Sequence, residues 1–262
     1  MKKVFIIKIG GNVVDNPRAL AAFLEHFAAI DEMKILIHGG GKIATRIGDQ
    51  LGIQSRYVNG RRITDGETRD LVTMVYGGLV NKQIVAALQA LGCNAVGLTG
   101  ADGNVVPAMK RPVKDIDYGF VGDIQPEKVN VSWLQTLLQG GAVPVFAPLT
   151  CADGGMLNTN ADTIASVLAV ALSSVFIIRL IYCFEKKGVL REVNDPDSVI
   201  RHLPKKLYAE LLEAHALADG ILPKLENAYA AIEAGVKEVL IGEAADIRQN
   251  TGPITRGTLI TA

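Results

Sequence analysis

Two short segments of this chain place glycines and a cation where a strand should end. Lys8-Ile9-Gly10-Gly11 closes an apolar run that starts at Lys3, and His38-Gly39-Gly40-Gly41 closes a second run that starts at Lys34. Strand carboxyl ends are where open α/β sheets bind ligands, and bare glycine backbone lets N–H groups approach an anion closely. Lys8 can add a point charge at the first turn. The second turn leads into a helix, whose N-terminal N–H groups and dipole form another anion site. Taken singly, each segment also suits a tight turn with a solvated lysine.

Two further groups carry charge or hydrogen-bonding capacity. In Asn158-Thr159-Asn160-Ala161-Asp162, Asn160 suits a helix cap and Asp162 a first-turn dipole partner. Asn158 lies outside that capping role and is free to face a ligand. Lys224 follows Gly220-Ile221-Leu222-Pro223 at the start of a helical pattern. A lysine there opposes the macrodipole, which points to an anion as its partner.

Several chemistries are excluded by what the chain lacks. Lys and Arg together number 27 and Asp and Glu 27, so no basic excess marks a nucleic-acid face. Three distant cysteines, Cys93, Cys151 and Cys183, make neither a disulfide framework nor an all-cysteine zinc site, and they suit a reducing compartment. Gly39-x-Gly41-x-x-Ala44 fits a loose dinucleotide fingerprint, but Arg61-Arg62 stands where the ribose-binding acid is expected. His-Gly-Gly-Gly also occurs in esterase oxyanion loops, yet no G-x-S-x-G elbow supplies a nucleophile. No G-x-x-x-x-G-K-[ST] sequence is present, so phosphates would be held without a P-loop.

The elements that must position these residues alternate in type. Residues 3–9, 34–38, 95–98 and 143–147 read as buried strands, because β-branched and apolar residues run without alternation. Asn16-Pro17 opens a helix toward Ile30, and Ile43, Ile47 and Leu51 share one face of another that stops at Gly52. Asn59-Gly60 is a two-residue hairpin signal. Thr64-Asp65-Gly66-Glu67 reads as a capping box that starts a long helix toward Gly92. Residues 105–123 look like β excursions on the rim, and 133–139 like a helix. The apolar stretch 163–178 is too short for a spanning helix and reads as a buried helix running into a buried strand. Strand and helix in alternation predict a three-layer α/β/α sandwich with a mostly parallel central sheet, in a soluble, cytoplasmic chain. A boundary near residue 175 divides it into lobes 1–175 and 176–262.

Together these segments resemble the N-acetylglutamate kinases of the amino-acid kinase family. The resemblance runs from Lys8-Ile9-Gly10-Gly11 through His38-Gly39-Gly40-Gly41, Asn59-Gly60-Arg61-Arg62 and Ala95-Val96-Gly97-Leu98. It continues through Asn158 to Asp162 and Gly220 to Lys224, in order and over nearly the whole length. It implies the amino-acid kinase fold and transfer of the ATP γ-phosphoryl group to the γ-carboxylate of an N-acetyl- or N-succinyl-L-glutamate, a step of arginine biosynthesis. Other members of the family, the carbamate and uridylate kinases, and a sensing subunit without turnover are the alternatives.

The resemblance also assigns roles. Lys8 and Lys224 would neutralise the transferring phosphoryl group and Asp162 would orient them. Gly10 and Gly11 would hold phosphate, and Gly40, Gly41, Arg62 and Asn158 the acylglutamate. Relatives continue the central strand with Leu-x-Asp-Val-x-Gly-Val-Leu, where this chain has Cys183-Phe184-Glu185-Lys186-Lys187-Gly188-Val189-Leu190. Glu185, Gly188 and Leu190 would then line the nucleotide site, with Mg2+ carried by the ATP phosphates and no metal ligand set of the protein's own. The acyl-glutamate site and the dimer contact would belong to 1–175, and the nucleotide site to 176–262. Arginine-inhibited relatives carry an extra helix before the first strand and form hexamers. Only Met1 and Lys2 precede the strand here, so an arginine-insensitive homodimer is expected.

Overall fold

The computed structural model describes every residue of the chain except 193–194, 215–216 and 218–220. The first apolar run is strand β1 (Lys3–Ile9), buried at every position after Lys3, as a strand covered on both faces must be. A single turn α1 (Gly11–Val14) follows, then helix α2 (Pro17–Ala28). The Asn16 side chain caps α2 by accepting from the N–H groups of Arg18 and Ala19 at 3.1 and 3.2 Å. Strand β2 (Met33–His38) leads into α3 (Gly41–Gln50). Strands β3 (Arg56–Val58) and β4 (Arg61–Ile63) form the expected hairpin. Its turn residues Asn59 and Gly60 have φ of 49° and 73°, the left-handed pair that such a turn demands.

A continuous helix then runs through α4 (Gly66–Val72), a π-helical stretch (Thr73–Val80) and α5 (Asn81–Ala90). Its cap differs from the capping box read in the sequence. Asp65 is the cap, accepting from Thr68 N–H at 2.9 Å. Thr64 is buried and bridges Gly119, so its hydroxyl is turned away from the helix. This 25-residue helix, and not the stretch 163–178, has the length and apolar composition of a membrane span. Its apolar stripe, including Leu71, Val75, Ile84 and Leu88, is instead buried in the protein core.

Strand β5 (Ala95–Leu98) follows, then the rim hairpin β6 (Ala108–Lys110) and β7 (Gly122–Ile124), and helix α6 (Val131–Gln139). Next come β8 (Val143–Phe146) and the hairpin β9 (Leu149–Ala152) and β10 (Gly155–Asn158). Helix α7 (Ala161–Leu172) runs into β11 (Ile177–Phe184), the buried helix and strand expected from the apolar stretch. The chain closes with β12 (His202–Pro204), α8 (Lys205–Glu213), α9 (Leu222–Glu233), β13 (Glu238–Glu243), α10 (Ile247–Asn250) and β14 (Thr258–Thr261). Gly220, part of the motif before Lys224, lies outside the described residues.

Eight strands form one sheet in the order β12-β14-β13-β11-β1-β2-β8-β5, parallel at every junction except β13/β14. Alternate side chains of β1 supply separate cores. Val4 and Ile6 pack with α6, α7, α8 and α9, while Phe5, Ile7 and Ile9 pack with α2, the long helix and α10. The result is the expected three-layer sandwich. Residues 1–175 and 176–262 meet where β1 pairs β11, with Lys8 beside Tyr182 and Ile9 beside Cys183.

Candidate active site

The pairing of β1 with β11 sets the centre of the site. Lys8 is 8% exposed, and its Nζ lies 2.9 Å from Oδ1 of Asp162 in the first turn of α7. The contact is an ion pair rather than an aligned hydrogen bond. Lys224 enters from the first turn of α9, as the sequence suggested, and its Nζ stands 3.7 Å from the centroid of the Phe184 ring. Burial holds the Lys224 ammonium below the usual lysine range, with Asp162 opposing the shift and Lys8 adding to it. Two ammonium groups and one carboxylate leave net positive charge at this point.

The two glycine turns meet beside it. Gly39 N–H donates to the Ile9 carbonyl at 3.1 Å. A Cβ on Gly39 would stand 3.3 Å from Gly11 N and 3.6 Å from the Gly10 carbonyl carbon, so the backbones can touch only because that atom is missing. A cavity of about 560 Å³ opens above them, lined by Gly10, Gly11, Gly39, Gly40, Gly41, Lys42, Glu185, Gly188 and Lys224. Glu185 therefore sits on the same cavity as the glycine turns. Leu190 is not among the lining residues; it pairs with Val199 in an isolated bridge.

A second cavity, of about 230 Å³, shares the Gly39-Gly40-Gly41 turn and is walled by Tyr57, Arg61, Arg62, Tyr76, Arg111 and Asn158. Arg62 is buried and held from several sides. One amino group donates to Gly41 O and Thr45 Oγ1, both at 2.9 Å, and the other to Ser55 Oγ. Asn158 donates to Thr64 Oγ1 at 3.0 Å, which explains why Thr64 is not the helix cap. Gly10, Gly11 and Lys224 thus line the larger cavity, Arg62 and Asn158 the smaller, and Gly40 and Gly41 both, while Lys8 Nζ, paired with Asp162, lies 3.8 Å from where a Cβ on Gly10 would stand.

Three wall or support residues had escaped the sequence reading. Tyr76 packs over Gly40, where a Cβ would meet its ring at 3.1 Å. It reaches this place from the π-helical stretch, which periodicity does not announce. Arg111 comes from the rim hairpin and is steadied by Asp123 Oδ1 at 2.6 and 2.9 Å. Asn81 donates to His38 Nε2 at 3.2 Å and to Val145 O at 2.9 Å, while His38 Nδ1 lies 2.6 Å from Gly39 O. Complete burial pushes the His38 imidazole down to about 4, so it is neutral, with Nδ1 as donor and Nε2 as acceptor. His38 therefore braces the glycine turn; it is not the oxyanion device its motif evokes.

The profile of the amino acid kinase family matches residues 3–243. The chain is 55% identical over 256 residues to an acetylglutamate kinase of Phocaeicola vulgatus, covering 97% of this chain and 99% of that one. It is 56% identical to an acetylglutamate kinase of Bacteroides thetaiotaomicron, covering 96% of this chain and 97% of the relative. A solved structure from Streptococcus mutans superposes with a TM-score of 0.76 at 29% identity, over 100% of both chains. With its sheet order, its paired glycine turns and relatives sharing more than half of its residues, the chain belongs to the amino acid kinase family.

Proposed function

We propose that this protein transfers the γ-phosphoryl group of ATP to the γ-carboxylate of an N-acyl-L-glutamate. The observation that carries this reading is a pair of cavities joined by one glycine turn, the larger lined by Lys224 and by Gly10 beside the Lys8–Asp162 ion pair. The larger holds glycine N–H groups and is roomy enough for a nucleotide; the smaller holds Arg62, Arg111 and Asn158 and suits a carboxylated acceptor. The acetylglutamate kinases that share over half of its residues support the same acceptor over carbamate or a nucleotide.

The chemistry asks little covalent work of the protein. An acceptor carboxylate is already ionised near neutrality, so no general base is required. What must be supplied is alignment and compensation of charge on the moving phosphoryl group. In this scheme Gly10 and Gly11 direct N–H groups at the phosphates, and Lys8 and Lys224 neutralise the equatorial oxygens. Asp162 holds Lys8 in place. Arg62 and Asn158, with the Gly40-Gly41 backbone, orient the acceptor. Glu185 and Gly188 border the nucleotide.

A phosphate-bound Mg2+ fits this donor set. Glu185 lines the larger cavity and Asp162 a neighbouring pocket that shares Lys224 with it, and among the described residues no group of three or more His, Cys, Asp or Glu side chains could cage a metal. Such an ion would lower the charge on the phosphates when bound; the protein's own part is to hold them. We further propose that 1–175 carries the acceptor site and the dimer contact, that 176–262 carries the nucleotide site, and that the enzyme works as a cytoplasmic homodimer.

An ATP-dependent hydroxamate assay tests the reading, because hydroxylamine traps acyl phosphates. Product is expected with acetylglutamate or succinylglutamate and not with free glutamate. No hydroxamate from any of the three acceptors would reject it.

A further inference from the structure

Phe184 is a charge-free side chain between two ammonium groups, those of Lys8 and Lys224. It is the last residue of β11, and strand alternation puts it on the same face as Tyr182, whose ring lies 6.0 Å away at 21°. Tyr182 is the register partner of Lys8, so Phe184 projects one pleat beyond the lysine, toward α9. There its ring has Lys224 Nζ at 3.7 Å and Lys8 Nζ at 5.9 Å from the centroid. The same ring borders two spaces. One is the 560 Å³ cavity above the glycine turns, and the other is a pocket of about 250 Å³ lined by Asn160, Asp162, Ser166 and Asn227.

Lys8 and Lys224 are held in different ways. Lys8 has Asp162 as its partner, whereas among the described residues no carboxylate comes within 4.0 Å of Lys224 Nζ. Without support, a flexible ammonium beside a second ammonium would swing away toward water. A carboxylate partner would hold it but would compete with the phosphoryl oxygens for its N–H groups. An aromatic face attracts the cation through its quadrupole and leaves the charge and the remaining donors available.

We propose that Phe184 is the positioning residue for Lys224: its ring face holds the ammonium at the boundary of the two cavities, aimed at the phosphoryl group. This rests on the kinase reading above, and it adds a device that the glycine and lysine motifs do not contain.

The test replaces Phe184 by mono-, di- and trifluorophenylalanine, which keep the ring's shape while draining its negative face. Turnover is measured with ATP and acetyl- or succinylglutamate. Turnover should fall with each fluorine, roughly tenfold across the series, while KM for both substrates changes little. Phe184→Leu should match the trifluoro protein, and Phe184→Trp should restore turnover.

A second readout does not depend on activity. Lys224 is faced by Asp162 from α7, Lys8 from β1, and Glu185 and Lys186 beyond β11. In 15N NMR its ammonium should deprotonate at progressively lower pH along the series. A fluorine-independent titration together with fluorine-independent turnover would overturn the proposal. A wild-type protein that phosphorylates neither acceptor, but whose Lys224 titration follows fluorination, would reject the kinase reading and leave the ring–ammonium contact standing.

Discussion

Lys8, Lys224 and Arg62 are all cations at one site, yet their surroundings give them different work. Lys8 pairs with Asp162 and Lys224 stands over Phe184, where the proposed scheme puts the phosphoryl group, whereas Arg62 is tied to Gly41 on the smaller cavity, proposed for the acceptor. Lys8→Ala and Lys224→Ala should each lower turnover by at least about 10²-fold with a smaller effect on acceptor KM, because they act on transition-state charge. Arg62→Ala should mainly raise acceptor KM, since a guanidinium grips a carboxylate by paired hydrogen bonds. Steady-state kinetics separates the two patterns, and equal effects on both parameters in all three variants would contradict this division. His38 gives a prediction about stability. Its folded value of about 4 lies below the ordinary histidine value of 6.5, so the unfolded chain binds the proton first as pH falls. The stability it confers is complete above about pH 6.5 and is lost as pH falls from there toward 4. Unfolding midpoints measured across that window should fall more steeply for the wild type than for His38→Gln, which cannot titrate. Parallel curves would mean that the imidazole is hydrated in the native state.

At the scale of elements, the two glycine turns act as one device. A methyl group at Gly39 would press on the Gly10-Gly11 backbone at 3.3–3.7 Å, and neither partner is a flexible side chain that could yield. Gly39→Ala should therefore part the turns by a few tenths of an ångström and weaken binding of an ATP analogue by calorimetry, with the fold retained. Glu185→Ala should weaken the same binding and leave acylglutamate binding nearly unchanged, because Glu185 lines the larger cavity and not the smaller. Unaltered nucleotide affinity in Glu185→Ala would show that the strand aligns differently with those of its relatives. The turns were legible in the sequence because glycine after an unbroken apolar run has few other meanings. The β3–β4 hairpin was legible because Asn59-Gly60 meets a backbone demand that few residue pairs can meet. The π-helical stretch was not, since its side chains differ in no obvious way from those of an α-helix. Tyr76 and Arg111 stayed hidden for another reason. Each reaches the smaller cavity from an element distant in sequence, and only the assembled sheet brings those elements together. Thr64 misled because a Thr-x-x-Glu spacing states which residues could cap, while the buried contact with Asn158 decided which one does.

For the whole molecule, the outer side of the long helix carries the feature that bears on assembly. Most of its large apolar residues face the core, but Met74 and Leu79 are 57% and 42% exposed. They lie five residues apart within the π-helical stretch Thr73–Val80. An α-helix would turn positions with that spacing to different sides, whereas the wider winding of a π-helix, with its i→i+5 hydrogen bonds, turns them closer to one side. The irregular winding thus brings two exposed apolar side chains nearer to one face of residues 1–175. A two-fold axis beside that face would set it against its own copy, and two-fold dimers are the commonest closed assembly. Light scattering is expected to give twice the 27.9 kDa chain mass. Met74→Glu combined with Leu79→Glu should return the mass to that of one chain, because like charges would face each other across the axis. The change lies on the surface and leaves the buried residues Val75, Tyr76 and Val80 in place, so the monomer should keep its unfolding midpoint. A wild-type protein that scatters as a single chain would sink the dimer. A double variant that still scatters as a dimer would move the contact to another face.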